Sequence, residues 1–122
     1  MLRLVAIALL ALTSVANAVD RPPAEDARIE YLLAVVASLH DVEFIRNGRA
    51  YDSAAAVRHM REKLELAGWR VKTAEDFIRY CGSQSSVSGK PYEIRFPDGR
   101  VTLAADFLRQ KLIDFDRTTG RE

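Results

Sequence analysis

The sequence predicts a single small α+β domain of about four helices and two short β-hairpins, preceded by a cleavable signal peptide. Four separate stretches repeat apolar residues at the spacing of an amphipathic helix. Asn47-Gly48 and Asp98-Gly99 are turn dipeptides, each beside short runs that read as strands. A chain of 122 residues is long enough for one domain with one modest core.

The first eighteen residues have the pattern of an export signal. Arg3 gives a positive start, Leu4 to Leu12 is an apolar run, and Ala16-Asn17-Ala18 fits the small-x-small cleavage rule. An uncleaved membrane anchor is the alternative, but the run is shorter than the ~20 residues of a bilayer span. We therefore expect residues 1–18 to be cleaved after Ala18, a linker over 19–23, and a periplasmic protein without a membrane span after cleavage.

Helical spacing predicts a first helix from Ala24 to about His40 after the helix entry Pro22-Pro23. Its apolar stripe consists of Ile29, Leu32, Leu33, Val36 and Leu39. Asn47-Gly48 predicts a type I′ hairpin turn between the strands that follow. Asp52 or Ser53 is expected to cap a second helix that runs to about Ala67, and Gly68 is expected to end it as a C′ glycine.

Thr73-Ala-Glu-Asp76 resembles a capping box and predicts a third helix, with Phe77, Ile78 and Cys81 facing inward. Tyr92 to Phe96 alternates as a half-buried strand, and Val101 is expected to begin a return strand. Thr102 is expected to cap a last helix, with Leu108, Leu112 and Phe115 on one stripe. The domain is expected over residues 24–117, with a frayed end over 118–122.

Charge and cysteine content narrow the function classes. Without Arg3 the chain has 17 basic and 17 acidic residues, so the exported form is near neutral. A neutral surface disfavours nucleic acid, which needs a basic face, and disfavours a polybasic membrane patch. Cys81 is the single cysteine, so no disulfide within the chain is possible.

The best candidate for a site is the polar loop that precedes the strand at Tyr92. Backbone amides in a small-residue loop, together with a lysine ammonium, can hold an anion. The alternative is that the hydroxyls satisfy the turns of their own loop, as serine commonly does. The candidate residues for binding a ligand or partner are Ser85, Ser86, Ser88, Gly89 and Lys90, joined by Arg46 and Tyr51 if the two β segments lie side by side.

Other chemistry-bearing residues favour structural interpretations. Cys81 lies on an apolar helix stripe and reads as a buried cysteine rather than a nucleophile. His40, Asp41 and Glu43 lack the spacing of a zinc site. Trp69 reads as a lid over the core rather than a sugar platform. We therefore expect no catalytic residues, metal or cofactor.

Two sets of motifs resemble one family of small exported proteins from Gram-negative bacteria, domain of unknown function 5329. The first set is Phe44-Ile-Arg-Asn-Gly48 with Tyr51, Ala56 and His59-Met60-x-x-Lys63. The second is Lys72-Thr-Ala-Glu-Asp-Phe-Ile78 and Ser85-Ser86-x-Ser88-Gly89-Lys90-Pro91-Tyr92. The resemblance covers about Glu30 to Leu112 and implies export and one small domain, with no established activity. It also implies a cysteine just before Phe44, where this chain has Val42, so Cys81 lacks a partner.

These observations favour a periplasmic binding or accessory protein whose partner is an envelope protein, peptide or glycan. The alternatives are an envelope hydrolase that uses the serine-rich loop and a structural subunit of an envelope complex.

Overall fold

The computed structural model describes residues 20–120. The predicted signal peptide over 1–18, and the last two residues of the predicted frayed end, lie outside this range. The chain forms four α-helices, four β-strands and one 3₁₀ turn. In order they are α1 (Pro23–Ser38), β1 (Glu43–Arg46), β2 (Arg49–Tyr51), α2 (Ser53–Ala67), the 3₁₀ turn (Gly68–Arg70), α3 (Ala74–Cys81), β3 (Glu93–Arg95), β4 (Val101–Leu103) and α4 (Ala104–Thr118). The predicted α+β class is confirmed.

The first hairpin forms as its turn dipeptide predicts. Asn47 and Gly48 have φ values of 51° and 76°, so both central positions are left-handed as a type I′ turn requires. Phe44 pairs with Tyr51, and Arg46 pairs with Arg49. The turn therefore determines which residues of β1 and β2 face each other.

A long-range pairing joins the two hairpins into one sheet. β1 pairs antiparallel with β3, and Phe44 lies opposite Ile94. The strand order is β2-β1-β3-β4, with every neighbouring pair antiparallel. Side chains alternate between faces along a strand, so Phe44 and Arg46 share one face of β1. Phe44 and Ile94 are buried, and this face points to the helices.

One contiguous core lies between the sheet and the helices. α1, α2 and α4 contribute apolar stripes to this core. The predicted capping box of Thr73 and Asp76 forms and caps the N-terminus of α3. Phe77, Ile78 and Cys81 are each no more than 1% exposed, as their stripe predicted. Between Asp20 and Gly120, no helix is long and apolar enough to cross a membrane.

An ionic cluster centred on the buried Arg28 joins three helices near the N-terminus of α1. Arg28 donates to both carboxylate oxygens of Glu25 at 2.6 and 3.0 Å, to Glu75 of α3 at 2.9 Å and to Asp116 of α4 at 2.9 Å. Burial by itself would lower the pKa of Arg28, but the hydrogen bonds that it donates to Glu75, Asp116 and Glu25 outweigh burial and raise the pKa. The guanidinium is therefore permanently charged and acts as the centre of this cluster.

Three local predictions were wrong. Gly68 has φ −55° and continues into the 3₁₀ turn, so it is not a left-handed C′ glycine. Thr102 lies within β4, and Leu103 is the N-cap of α4 without a side-chain cap. Trp69 is 66% exposed, not a lid over the core, and the guanidinium of Arg70 lies 4.6 Å from its ring centre. Arg70 therefore covers one face of the Trp69 ring, which was expected to pack against the core.

Candidate functional site

Helix α2 places a mixed stripe of side chains against the sheet. Asp52 caps its start by accepting from the amide of Ala55 at 2.8 Å. Residues three and four apart then share a face, and the face that meets β1 carries Ala56, His59, Met60 and Lys63. Ala56 and Met60 are buried, whereas His59 and Lys63 are half-buried. Two polar side chains are thus held inside an otherwise apolar contact.

A pocket of about 210 Å³ lies between α2 and the first hairpin. Its wall combines apolar residues with polar groups from β1, β2, α2 and the segment before β3. The apolar lining residues are Phe44, Ile45, Ala55, Ala56, Met60 and Ala104, and the polar ones are Arg46, Tyr51, Arg58, His59, Glu62 and Tyr92. An apolar cleft with a small number of placed polar groups is the usual form of a ligand site.

The polar groups of the pocket form a connected chain. Arg46 Nη1 lies 3.3 Å from His59 Nδ1, and His59 Nε2 lies 3.1 Å from the Tyr92 hydroxyl. Lys63 donates to the same hydroxyl at 3.2 Å and to the carbonyl of Gln84 at 3.0 Å. The chain therefore ties β1, α2 and the segment before β3 together along one wall of the pocket.

The surroundings of His59 within this series of hydrogen bonds keep its imidazole neutral near pH 7. Burial lowers the pKa of His59, and the nearby charges of Arg46 and Lys63 lower it further, with Glu62 acting weakly in the opposite sense. A protonated imidazole here would stand between two cations. His59 therefore acts as a hydrogen-bonding link rather than as a third positive charge.

The serine-rich loop contacts this region, but several of its backbone amides already donate hydrogen bonds to oxygens of the same loop. The Ser85 hydroxyl accepts from the amides of Val87 at 3.2 Å and Ser88 at 3.3 Å, and the amide of Lys90 donates to the Ser88 hydroxyl at 3.2 Å. Gly89, at φ 72°, donates to the Ser85 carbonyl at 2.9 Å. The expected anion nest is thus occupied by the loop's own oxygens, which favours the structural interpretation of these hydroxyls.

Asn47 fastens this loop to the tip of the first hairpin. Its side-chain nitrogen donates to the Ser85 hydroxyl at 3.1 Å, and its oxygen accepts from the Ser88 hydroxyl. Ser85 is 1% exposed, while Ser86, Ser88 and Lys90 are exposed. The two β segments lie side by side, as the combined site required, and the pocket forms around Arg46 and Tyr51. Ligand binding by the exposed loop residues stays a prediction.

Ser85→Ala is expected to lower the free energy of unfolding by about 1–3 kcal/mol, because three donors would lose a buried acceptor. Chemical denaturation of the variant measures this loss. Ser86→Ala is the matched control, since Ser86 is exposed, and should stay within about 0.5 kcal/mol of the parent. Equal effects of the two substitutions would contradict the fastening role of Ser85.

Sequence reasoning missed His59, Lys63 and Tyr92 as members of the site. A signal was present: polar side chains occur at i+3 and i+7 from Ala56 on the stripe that also carries Met60. His59 was interpreted as a solvated or half-buried residue of the helix face, and Tyr92 as part of a strand. Their contact depends on the pairing of β1 with β3, which neither motif shows alone.

Cys81 lies outside this pocket and is chemically quiet. It is 0% exposed, and burial raises the pKa of its thiol to about 11. A thiol with such a pKa carries almost no thiolate near neutral pH, which disfavours a role as a nucleophile.

Comparison with known proteins agrees with the motifs. The chain is 46% identical over 68 residues to an uncharacterized protein, YfeK, of Salmonella typhimurium strain LT2. That match covers 56% of this chain and 57% of the relative. No solved structure matches the chain. A family model matches residues 23–116, which is most of the chain and all of the pocket lining. The chain therefore belongs to the family of unknown function DUF5329.

Proposed function

We propose that the protein is an exported binding protein of the bacterial periplasm and that the pocket between α2 and the first hairpin is its site. The observation that carries this proposal is a cavity of about 210 Å³ whose apolar wall is crossed by the chain Arg46–His59–Tyr92–Lys63. An engineered apolar cavity of about 150 Å³ holds benzene, so this pocket suits one small molecule or the end of a longer peptide or glycan.

The position of the pocket supports the proposal further. The motifs that resemble the family are separated along the chain, yet many of their residues meet here. The residues Phe44, Arg46, Tyr51, Ala56, His59, Met60 and Tyr92 line the pocket. Around it, Asn47, Lys63, Ser85 and Ser88 make hydrogen bonds to neighbouring residues.

Export is supported by the signal pattern of residues 1–18. Cleavage after Ala18 would leave Val19 as the first residue, which intact mass measurement of the periplasmic protein tests.

A hydrolase that uses the serine-rich loop has less support. Over residues 20–120, no hydroxyl of Ser83, Ser85, Ser86 or Ser88 is hydrogen-bonded to a histidine, lysine or carboxylate. A nucleophilic serine needs such a base within hydrogen-bond reach. The arrangement therefore favours binding over covalent catalysis.

The experiment is an amide NMR screen of residues 19–122 against a library of small charged and neutral fragments. We expect shift changes at β1, β2 and α2 for a subset of fragments. Ala55→Phe should abolish these changes, because Ala55 lines the pocket and the larger side chain would fill it. Ala54→Phe is the matched control, since Ala54 is exposed on the same helix and lies outside the pocket.

Two results would contradict the proposal. One is the absence of any fragment that shifts pocket residues in the parent protein. The other is equal binding to the Ala55→Phe and Ala54→Phe variants, which would locate the binding elsewhere. Retained amide dispersion in both variants shows that each is folded.

A further inference from the structure

The donors of the pocket wall can be assigned from the hydrogen-bonding capacity of each group. An arginine guanidinium only donates, so Arg46 Nη1 donates to His59 Nδ1. Neutral His59 then carries its proton on Nε2 and donates to the Tyr92 oxygen. The Lys63 ammonium also only donates, and it donates to the same oxygen.

Within residues 20–120, two donors of the wall consequently have no acceptor. The Tyr92 oxygen already accepts from both His59 and Lys63, so its own O–H must donate to a third group. No residue between 20 and 120 supplies that acceptor. Arg46 Nε is buried and likewise has no hydrogen-bond partner in this part of the chain. Buried donors in folded proteins are nearly always paired, so the unpaired Arg46 Nε indicates a missing acceptor, and the Tyr92 O–H is a second donor that a bound acceptor could use.

The free side of Arg46 has the geometry that recognises a carboxylate. Nη1 is engaged by His59, and in the described residues neither Nε nor Nη2 donates to any acceptor. Adjacent N–H groups on one edge of a guanidinium grip the two oxygens of a carboxylate in parallel. The Tyr92 hydroxyl is a further donor in the same pocket wall.

Charge around the pocket favours an anion of this kind. Arg46 and Arg58 line it, Lys63 lies behind Tyr92, and Arg49 pairs with Arg46 across the hairpin. Glu62 is the one carboxylate of the lining. Apart from Tyr51, His59 and Tyr92, the remaining lining residues are apolar, which suits an uncharged apolar body attached to the anionic group.

We propose that the pocket binds the carboxylate of a small, largely apolar organic acid, gripped by the Nε–Nη2 edge of Arg46 and by the Tyr92 hydroxyl. This inference rests on the proposed function, because it names the ligand class of the same pocket. Tyr92 is held for this role by His59 and Lys63, which direct its proton away from themselves. His59 and Lys63 are therefore positioning residues.

Benzoate is the probe, since one ring and one carboxylate suit the pocket volume, and benzamide is its neutral isostere. Titration of residues 19–122, followed by amide NMR, should show benzoate shifting β1 and α2 and binding at least about tenfold more tightly than benzamide. Arg46→Met should weaken benzoate binding by about tenfold or more, because the bidentate donor pair is lost. Tyr92→Phe should weaken it less while keeping the ring in place.

Arg49→Met is the matched control for Arg46→Met. It removes the same unit of charge from the same hairpin, but Arg49 is exposed and does not line the pocket. We expect less than about a threefold loss, the size of a screened surface-charge effect. Arg46→Lys provides a second variant that keeps the charge and lacks the planar fork, and it should also bind weakly. The melting temperature of each ligand-free variant checks that it is folded.

The possible outcomes separate the two proposals. Equal affinity for benzoate and benzamide would overturn carboxylate recognition and leave the pocket as a binding site. Equal losses in Arg46→Met and Arg49→Met would also overturn it, since general electrostatics would then suffice. If other fragments bind the pocket and benzoate does not, the carboxylate inference fails alone. If no fragment binds there, both proposals fail.

Discussion

Replacing Arg28 by methionine is expected to lower the free energy of unfolding by about 3–5 kcal/mol, the usual cost of removing one partner of a buried ion pair. Its side chain is 7% exposed, and it neutralises Glu25, whose side chain is 5% exposed. Without Arg28, the carboxylate of Glu25 would remain among the helices α1, α3 and α4 without this guanidinium beside it. Urea denaturation of parent and variant measures the difference.

The matched control is Arg61→Met. Arg61 pairs with Glu30 at 2.9 Å, but both side chains are about half exposed. An exposed pair contributes less than about 1 kcal/mol. Similar losses for the two substitutions would show that the Arg28 cluster does not act as a buried ionic centre.

The same cluster predicts a change in the acid limb of stability. Burial by itself would raise the pKa of Glu75, but its hydrogen bond from Arg28 lowers the pKa below the ordinary value of 4.5. A carboxylate with a depressed pKa stabilises the fold above that ordinary value, and this contribution is lost as pH falls through the depressed pKa. The parent should therefore lose this stability below about pH 4.5, whereas Arg28→Met should lack the contribution throughout.

Truncation of Phe77 to alanine has a comparable expected effect of about 3–5 kcal/mol. Phe77 is 0% exposed and is the largest fully buried side chain in the described domain. Its removal eliminates apolar burial and leaves a cavity beneath α3. A domain of this size has only about 5–15 kcal/mol of total stability, so the reduced denaturation midpoint of the variant is measured at low temperature.

Ile113→Ala controls for loss of apolar surface alone. Ile113 is 45% exposed on α4, and its truncation should change stability by no more than about 0.5 kcal/mol. A Phe77→Ala variant as stable as Ile113→Ala would contradict the central place of Phe77 in the core. Far-ultraviolet circular dichroism before denaturation confirms that each variant starts folded.

Local sequence signals determined the secondary structure of this protein well. Asn47-Gly48 encodes its turn because both positions must be left-handed, and only few residue pairs accept that conformation cheaply. Thr73 and Asp76 encode the start of α3 because their side chains satisfy free amides within one turn. The stripe of Phe77, Ile78 and Cys81 encodes which side of α3 is buried. Each of these signals acts over a few residues.

Local signals were less informative where the surrounding residues decide between two conformations or two environments of a residue. Gly68 is a residue type that often ends helices, but here the chain continues into a 3₁₀ turn in which the φ of Gly68 is negative. Trp69 had the size and apolarity of a core residue, yet Arg70 stacks on it at the surface. In both cases the residue type permits two environments, and packing selects one of them.

Tertiary structure alone decided the site. Arg46, His59 and Tyr92 come from three separate segments, and they meet because β1 pairs with β3 and α2 crosses that pair. The family motifs identified most of these residues, but their contact and the direction of each hydrogen bond are properties of the folded arrangement. The sequence by itself determined the elements, since their patterns are periodic and local. The pocket depended on long-range pairing, whose energy comes from contacts that no single stretch contains.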